Sequence, residues 1–272
     1  MKLAIVIPIL NQLAYTQGCL GCLEADLAAG VQVIVVDNGS TDGTGEWLKQ
    51  VRGITVITNP ENRGCAPAWN QGCRAAKDAD WVVVLNNDVL LPAGWLEKLL
   101  GAAQREGFDV VSPAMREREQ NYPFSEYAAK YMERMAGVVR AGAAHGVCFA
   151  VSRRAFEKVG EFDEAFRIGQ FEDSDFFRRV EMAGLKLGTV GACFIHHFGS
   201  VTQDALRSSK KIRPYEAENR AHFRKKWKIG WLRRRWEKFV SRRWLAHWRD
   251  GELKAHGCTL HEKWEDGAWK AF

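Results

Sequence analysis

VQVIVVDNGSTDGT, residues 31–44, changes character at its midpoint. Residues 31–36 form a short run rich in branched apolar side chains. Residues 37–44 are Asp, Asn, Gly, Ser and Thr, and a helical pattern with Trp47, Leu48 and Val51 follows. A buried strand that opens into a polar turn and then a helix is half of a strand–helix–strand unit. The same succession extends in both directions. Upstream, residues 3–7 read as a buried strand and a helix runs to about residue 29, stopped by Gly30. Downstream come a strand at 54–57, a helix at 66–77, a strand at 81–85 and a helix opened by Pro92. Another strand begins at Val110. The order predicts an α/β fold with a mostly parallel central sheet flanked by helices. Four polar clusters, at 8–11, 37–44, 59–64 and 86–88, follow four different strands, and ligands of such sheets bind beyond the carboxyl ends of the strands.

The second half is less regular. Residues 115–140 read as polar and helical, 146–151 as a strand, and Ser152 as the cap of a helix ending near Gly160. A helix over 172–183 and an extended stretch over 185–197 complete it. The expected division is a catalytic domain at 1–205, with a donor-binding half to about 112 and an acceptor half from 113, followed by an extension at 206–272. The 272 residues are 46% apolar, enough for a sizeable core. No apolar run reaches the roughly 20 residues that span a bilayer, and the first strand lacks a signal-peptide cleavage pattern, so a cytoplasmic protein is expected. Cys19 and Cys22 form a lone CxxC inside a helical pattern, which reads as buried reduced thiols rather than a metal site.

The polar clusters carry the candidate chemistry. Asp37 and Asn38 end a strand and can hydrogen-bond a base or simply cap a turn. Arg63 can meet a phosphate, with Gly64 admitting close backbone approach. Asn86, Asn87 and Asp88 end the fourth strand, and Asp88 suits Mg²⁺ or Mn²⁺, which take oxygen ligands and use few carboxylates beside phosphates. Glu172 and Asp173 open a helix, where acids serve as caps or as a general base. His196 and His197 are adjacent on an extended segment, so only one can face a given site.

In combination these segments resemble the family-2 inverting glycosyltransferases, which have the GT-A fold. The resemblance rests on VIPILN at 6–11, VVDNGSTDGT at 35–44, NPENRGCAPAWNQG at 59–72 and LNNDV at 85–89. GVCFAVSRRAFEKVGEFDEAF at 146–166, EDSDFFRR at 172–179 and HHFGS at 196–200 extend it over roughly residues 3–205. It implies that Pro8, Asn11, Asp37, Asn38 and Arg63 surround the nucleotide, with Asn86 and Asn87 against its ribose and diphosphate. Asp88 would bind the Mn²⁺ or Mg²⁺ ion, and Asp173, beside Glu172, would be the catalytic base. His196 is the first choice for the late metal-ligand histidine and His197 the second. The family's metal motif often begins with an acid where this chain has Asn86, which lowers the local negative charge. The implied donor is a nucleotide-diphosphate sugar, with UDP- or dTDP-sugars favoured, and the acceptor is a glycan or a lipid-linked glycan.

Residues 224–249 hold eleven Lys or Arg against one acid, Glu237, interleaved with Trp227, Trp231, Trp236, Trp244 and Trp248. The chain's +6 is therefore a property of this segment. A helical extension is expected, either docking peripherally on an anionic membrane surface or packing on the catalytic domain or a second copy in a homo-oligomer. A nucleic-acid partner is not expected, because basic charge is confined to this segment. Two other functions compete. A sugar nucleotidylyltransferase would need an early basic loop, and residues 10–18 contain no Lys or Arg. A glycan-binding pseudoenzyme would not need both Asp88 and Asp173.

Overall fold

Short runs of branched residues form the centre of the sheet. The computed structural model describes residues 1–199 and 215–272. Ser200 and the boundary expected at 205/206 lie outside the described residues. Strands β1 (Leu3–Ile9), β2 (Gln32–Asp37), β3 (Ile54–Thr58) and β4 (Trp81–Leu85) lie in the order β3-β2-β1-β4, all parallel. Alternate residues supply the two faces. Ile5, Ile7, Val33 and Val35 face one core with Leu20 and Leu99. Val6, Ile34 and Val36 face the other with Trp69, Phe149 and Phe176. Helices α1 (Leu13–Gly21), α2 (Glu24–Ala28), α3 (Thr44–Leu48), α4 (Cys65–Ala75) and α5 (Trp95–Glu106) make the connections.

The second half departs from a parallel sheet. Strands β5 (Val89–Leu90), β6 (Val110–Glu117), β7 (Val139–Ala141), β8 (Cys148–Ser152) and β9 (Leu187–His197) interleave with helices α6 (Phe124–Met135), α7 (Arg153–Val159) and α8 (Glu172–Met182). β8 runs antiparallel between β4 and β6, while β9 is parallel to β6 and antiparallel to β5 and β7. Because β8 starts where β4 ends, it delivers Val147 to the rim; the Asn86 amide donates to the Val147 carbonyl at 2.9 Å. The mostly parallel character expected of the sheet holds through β1–β4 and recurs where β6 pairs with β9, while β5, β7 and β8 bring in antiparallel pairs. Residues 115–117, expected within a helical stretch, continue β6 instead.

After the undescribed segment come two helices, α9 (Tyr215–Lys226) and α10 (Trp231–His256). The extension then ends in strands. β10 (His261–Glu265) and β11 (Ala268–Ala271) form a hairpin closed by Asp266 and Gly267, both left-handed at φ 53° and 76°. That pair is the Asp-Gly signature of a tight two-residue hairpin turn. β10 pairs in parallel with β6 and extends the central sheet. The seven cysteines are all free thiols, Cys19 buried and Cys22 half-buried. Among the described residues no helix is long and apolar enough to cross a membrane.

Candidate active site

The carboxyl ends of β1, β2 and β4 open into a cavity of about 280 Å³. Its lining brings together Pro8, Asn38, Asn86, Asn87 and Asp88 from the first half with Gly146, Glu172, Asp173 and His197 from the second. Asn38 is buried, donates its amide to the Gly64 carbonyl at 3.1 Å and accepts from Asn59 at 2.8 Å. It therefore holds the 59–64 loop against the end of β2. Asn87 is anchored to α1 through Thr16 at 2.8 Å.

Asn11, Asp37 and Arg63 stand outside the lining. Asn11 adopts φ 58°; its N–H donates to Ser40 at 2.7 Å and its side-chain oxygen accepts from the Thr41 N–H at 2.7 Å. The Asp37 carboxylate is buried and accepts from the Ser40 N–H at 2.9 Å. These two residues shape the 37–44 loop, and Arg63 is exposed on the surface.

Asp88 is buried where β4 leads into β5. Pairing of Val89 with His197 across β5 and β9 brings the His197 Nε2 within 3.3 Å of the Asp88 Oδ1. Strand alternation puts His197, the second choice in the sequence, beside Asp88 and turns His196, the first choice, away. His196 points to the other side, with Nδ1 2.9 Å from the Tyr122 hydroxyl and Nε2 3.1 Å from the Arg118 carbonyl. Burial pushes its pKa down to about 4. For His197 burial also pulls downward, but Asp88 and Glu117 prevail and hold it at about 9. His197 Nδ1 lies 3.0 Å from one Glu117 oxygen, and His261 of β10 lies 3.1 Å from the other.

The site fits a divalent cation on one observation: the buried His197 Nε2 has no hydrogen-bond partner among the described residues and lies beside a buried carboxylate. Asp88 and His197 could hold Mn²⁺ or Mg²⁺ with phosphate and water oxygens completing the set, displacing the imidazolium proton. Among the described residues there is no cluster of three or more His, Cys, Asp or Glu arranged for a metal. Glu117, behind the imidazole, would fix the orientation of His197 as such a ligand.

Across the cavity, Glu172 and Asp173 begin α8. The residue before them, Phe171, is left-handed at φ 77° and offers no side-chain cap, so the acids themselves lie against the exposed N–H groups of the first turn. The Asp173 Oδ1 accepts from the Ser174 N–H at 2.6 Å. A Cβ at position 146 would fall inside contact distance of its Oδ2, so Gly146 is what lets the carboxylate sit on the β8 side of the cavity. Burial raises both carboxyl pKa values, and the proximity of Asp173 raises that of Glu172 further. A carboxyl poised upward by burial, in a cavity, is suited to accept a proton from a hydroxyl.

Sequence reading had not picked out Glu117, Gly146, Trp69 or the loop residues Ile168 and Gln170. Glu117 and His197 are 80 positions apart and meet only through β6–β9 register. Trp69 lines the cavity with its buried indole N–H unpartnered among the described residues.

A family model described as glycosyl transferase family 2 matches residues 4–160, more than half of the chain. The chain belongs to glycosyl transferase family 2. This family-2 protein is 24% identical over 206 residues, 70% of its length, to the low-salt glycan biosynthesis hexosyltransferase Agl10 of Haloferax volcanii. It is 29% identical over 205 residues to the N-acetylglucosaminyl-diphospho-decaprenol L-rhamnosyltransferase of Mycobacterium tuberculosis, covering 61% of the chain. It spans 66% of each relative, just under two thirds of their length. Among solved structures it resembles GalNAc-T7 crystallised with UDP, GalNAc and Mn²⁺, with a TM-score of 0.57 and 16% identity over 72% of this chain and 44% of that one. At that identity the likeness is one of fold, and the fold is GT-A.

Proposed function

We propose that this family-2 protein moves a sugar, of hexosyl type, from a nucleoside-diphosphate donor to an acceptor hydroxyl with inversion, in the assembly of a surface polysaccharide or glycolipid. One observation carries the reading: a single cavity has a cation-type pair, Asp88 with His197, on one side and a raised-pKa carboxyl pair, Glu172 with Asp173, on the other. The loops at the ends of β1, β2 and β4 bind and orient the donor. Asp173 takes the proton of the acceptor hydroxyl, whose oxygen then attacks the anomeric carbon from the side opposite the nucleotide. A bound Mn²⁺ or Mg²⁺ supplies positive charge for the departing diphosphate. Glu172, buried beside Asp173 and raised by burial and by that neighbour, completes the acidic pair.

UDP- or dTDP-sugars are the donors of choice, and a lipid-linked glycan is the acceptor. The mycobacterial relative's name describes such an acceptor. The deciding experiment screens UDP-, dTDP- and GDP-sugars with and without Mn²⁺ for thermal shift and for release of nucleoside diphosphate. Cation-dependent stabilisation by one nucleotide class, with turnover, is expected. A protein unaffected by all three classes would overturn the reading.

The exposed helix α10 supports a site of action at the inner face of the cell membrane. Trp231, Leu232, Trp236, Phe239 and Trp244 are 53–74% exposed and interleave with Arg233, Arg234, Arg235, Arg242 and Arg243. Aromatic rings and guanidinium groups together suit an anionic lipid interface. Co-sedimentation with phosphatidylglycerol vesicles but not phosphatidylcholine vesicles is expected. A dimer that ignores both would assign the helix to self-association.

A further inference from the structure

The loop that leads into Glu172 and Asp173 is built against its own backbone preferences. Ile168, Gln170 and Phe171 have φ of 61°, 77° and 77°, a region that side chains with a Cβ rarely occupy. A segment of this kind persists only where its surroundings over-determine it. Two of the three, Ile168 and Gln170, line the cavity, and Phe171 immediately precedes the carboxyl pair.

The loop is held from two sides. From the donor side, the Cys65 N–H donates to the Ile168 carbonyl at 2.8 Å, and a Cβ at Gly64 would lie 2.8 Å from the Ile168 nitrogen. From the other side comes Asn219 of α9, about 50 residues further along the chain. Its side chain is 1% exposed and engages four backbone groups of the loop. The amide oxygen accepts from the Arg167 N–H at 2.9 Å. The amide nitrogen approaches the carbonyls of Arg167, Gly169 and Gln170 at 2.9, 2.8 and 3.2 Å. Only a primary amide offers an acceptor and two donors at that reach. Phe166 and Phe171 pack on Phe223, one turn further along α9.

The geometry points to Asn219 as a positioning residue for the reaction. By satisfying the backbone of residues 167–170 it fixes the left-handed turn that presents Ile168 and Gln170 to the acceptor side and aims Asp173 at the cavity. This rests on the proposed transfer reaction, since it assigns Asp173 the role of base. Asn219 lies beyond the family-matched residues 4–160, so a helix of the extension completes the catalytic side.

The test compares Asn219→Asp, which keeps the acceptor and replaces the donors with an oxygen, and Asn219→Ser with Glu218→Gln. Among the described residues Glu218 makes only an exposed ion pair with Arg167. Amide hydrogen exchange, steady-state turnover and UDP binding with Mn²⁺ are measured well below each protein's unfolding midpoint. In both Asn219 variants, exchange at 167–171 should quicken at least tenfold while the β1–β4 amides stay protected. The kcat should fall about 30- to 100-fold, with UDP affinity and donor KM within about twofold, as expected for misplacement of a reacting group. Glu218→Gln should match wild type. Unchanged exchange at 167–171, or an unchanged kcat, would overturn the inference. If Asn219→Asp does not fold, Asn219→Ser and its exchange pattern decide. Wild-type protein that turns over no sugar donor would instead sink the transfer reading, and the exchange result would still stand or fall alone.

Discussion

The two sides of the cavity are built by different means. On the donor side, β1, β2 and β4 end together because parallel pairing puts their carboxyl ends in one row, and the loops that follow are fixed by neighbours such as Ser40, Asn59 and Thr16. On the side of Glu172 and Asp173 no strand end aims the carboxylates. A turn with three left-handed residues does so, held from outside by α9, with Gly146 leaving space for the carboxylate. Sheet topology positions a group cheaply and tolerates local change. A strained turn depends on every support it has, so small substitutions there should act on turnover before they act on stability.

The largest expected effect is at Asp173, the proposed base. Asp173→Asn should lower kcat by roughly 10²- to 10⁴-fold while nucleotide affinity stays within about twofold, checked by turnover and calorimetry. Loss of UDP binding would place Asp173 on the donor side and dissolve the contrast. Next is Gly146→Ala, whose methyl must push the Asp173 carboxylate aside. A kcat reduction of about 10²-fold with a nearly unchanged unfolding midpoint is expected. A third test asks whether the cation side also leans on distant support. Glu117→Gln removes the charge behind His197 and should weaken Mn²⁺ affinity about 10- to 100-fold, measured by titration of the metal in the presence of UDP. Unaltered Mn²⁺ affinity would mean that Asp88 alone carries that side.

The smallest effect concerns acid stability. Burial tends to raise the Asp163 carboxyl, but Lys226 of α9, the Ala165 N–H and His222 of α9 together outweigh it and hold the pKa at about 2, below the ordinary 3.8. A depressed folded-state value means that the contribution is complete above pH 3.8 and disappears as pH falls towards 2. The unfolding midpoints of wild type and Asp163→Asn should therefore differ at pH 5 and converge near pH 2. A constant difference across that range would show that the α9 contact is not ionic.

The part of the cavity at the strand ends was legible in the sequence because its information is local. Apolar runs of strand length followed by Asp-Asn-Gly-Ser or Asn-Asn-Asp report both the element and the end at which its loop lies. Pro8, Asn38, Asn86, Asn87 and Asp88 reach the cavity accordingly. Asn11 and Asp37 spend their hydrogen bonds within the protein, a distinction that residue type does not carry. The choice between His196 and His197 needed the register of β9 against β5, which adjacent identical residues leave open. Glu117 and Asn219 are ordinary polar residues until the sheet order and the placement of α9 bring them to the site. The Asp266-Gly267 hairpin did have a local signal, masked by the basic, aromatic segment before it.

The pairing of β10 with β6 has a consequence for biosynthesis. Arg116 and Glu262, whose ion pair ties these strands at 2.6 Å, are separated by 146 positions. A ribosome emits the loops that follow β1, β2 and β4 early, and the first four strands can collapse on one another while translation proceeds. His261, which backs Glu117 and through it His197, arrives only after residue 260 has been added. The strand-end side of the cavity is therefore synthesised well before the histidine opposite Asp88 can receive its full support.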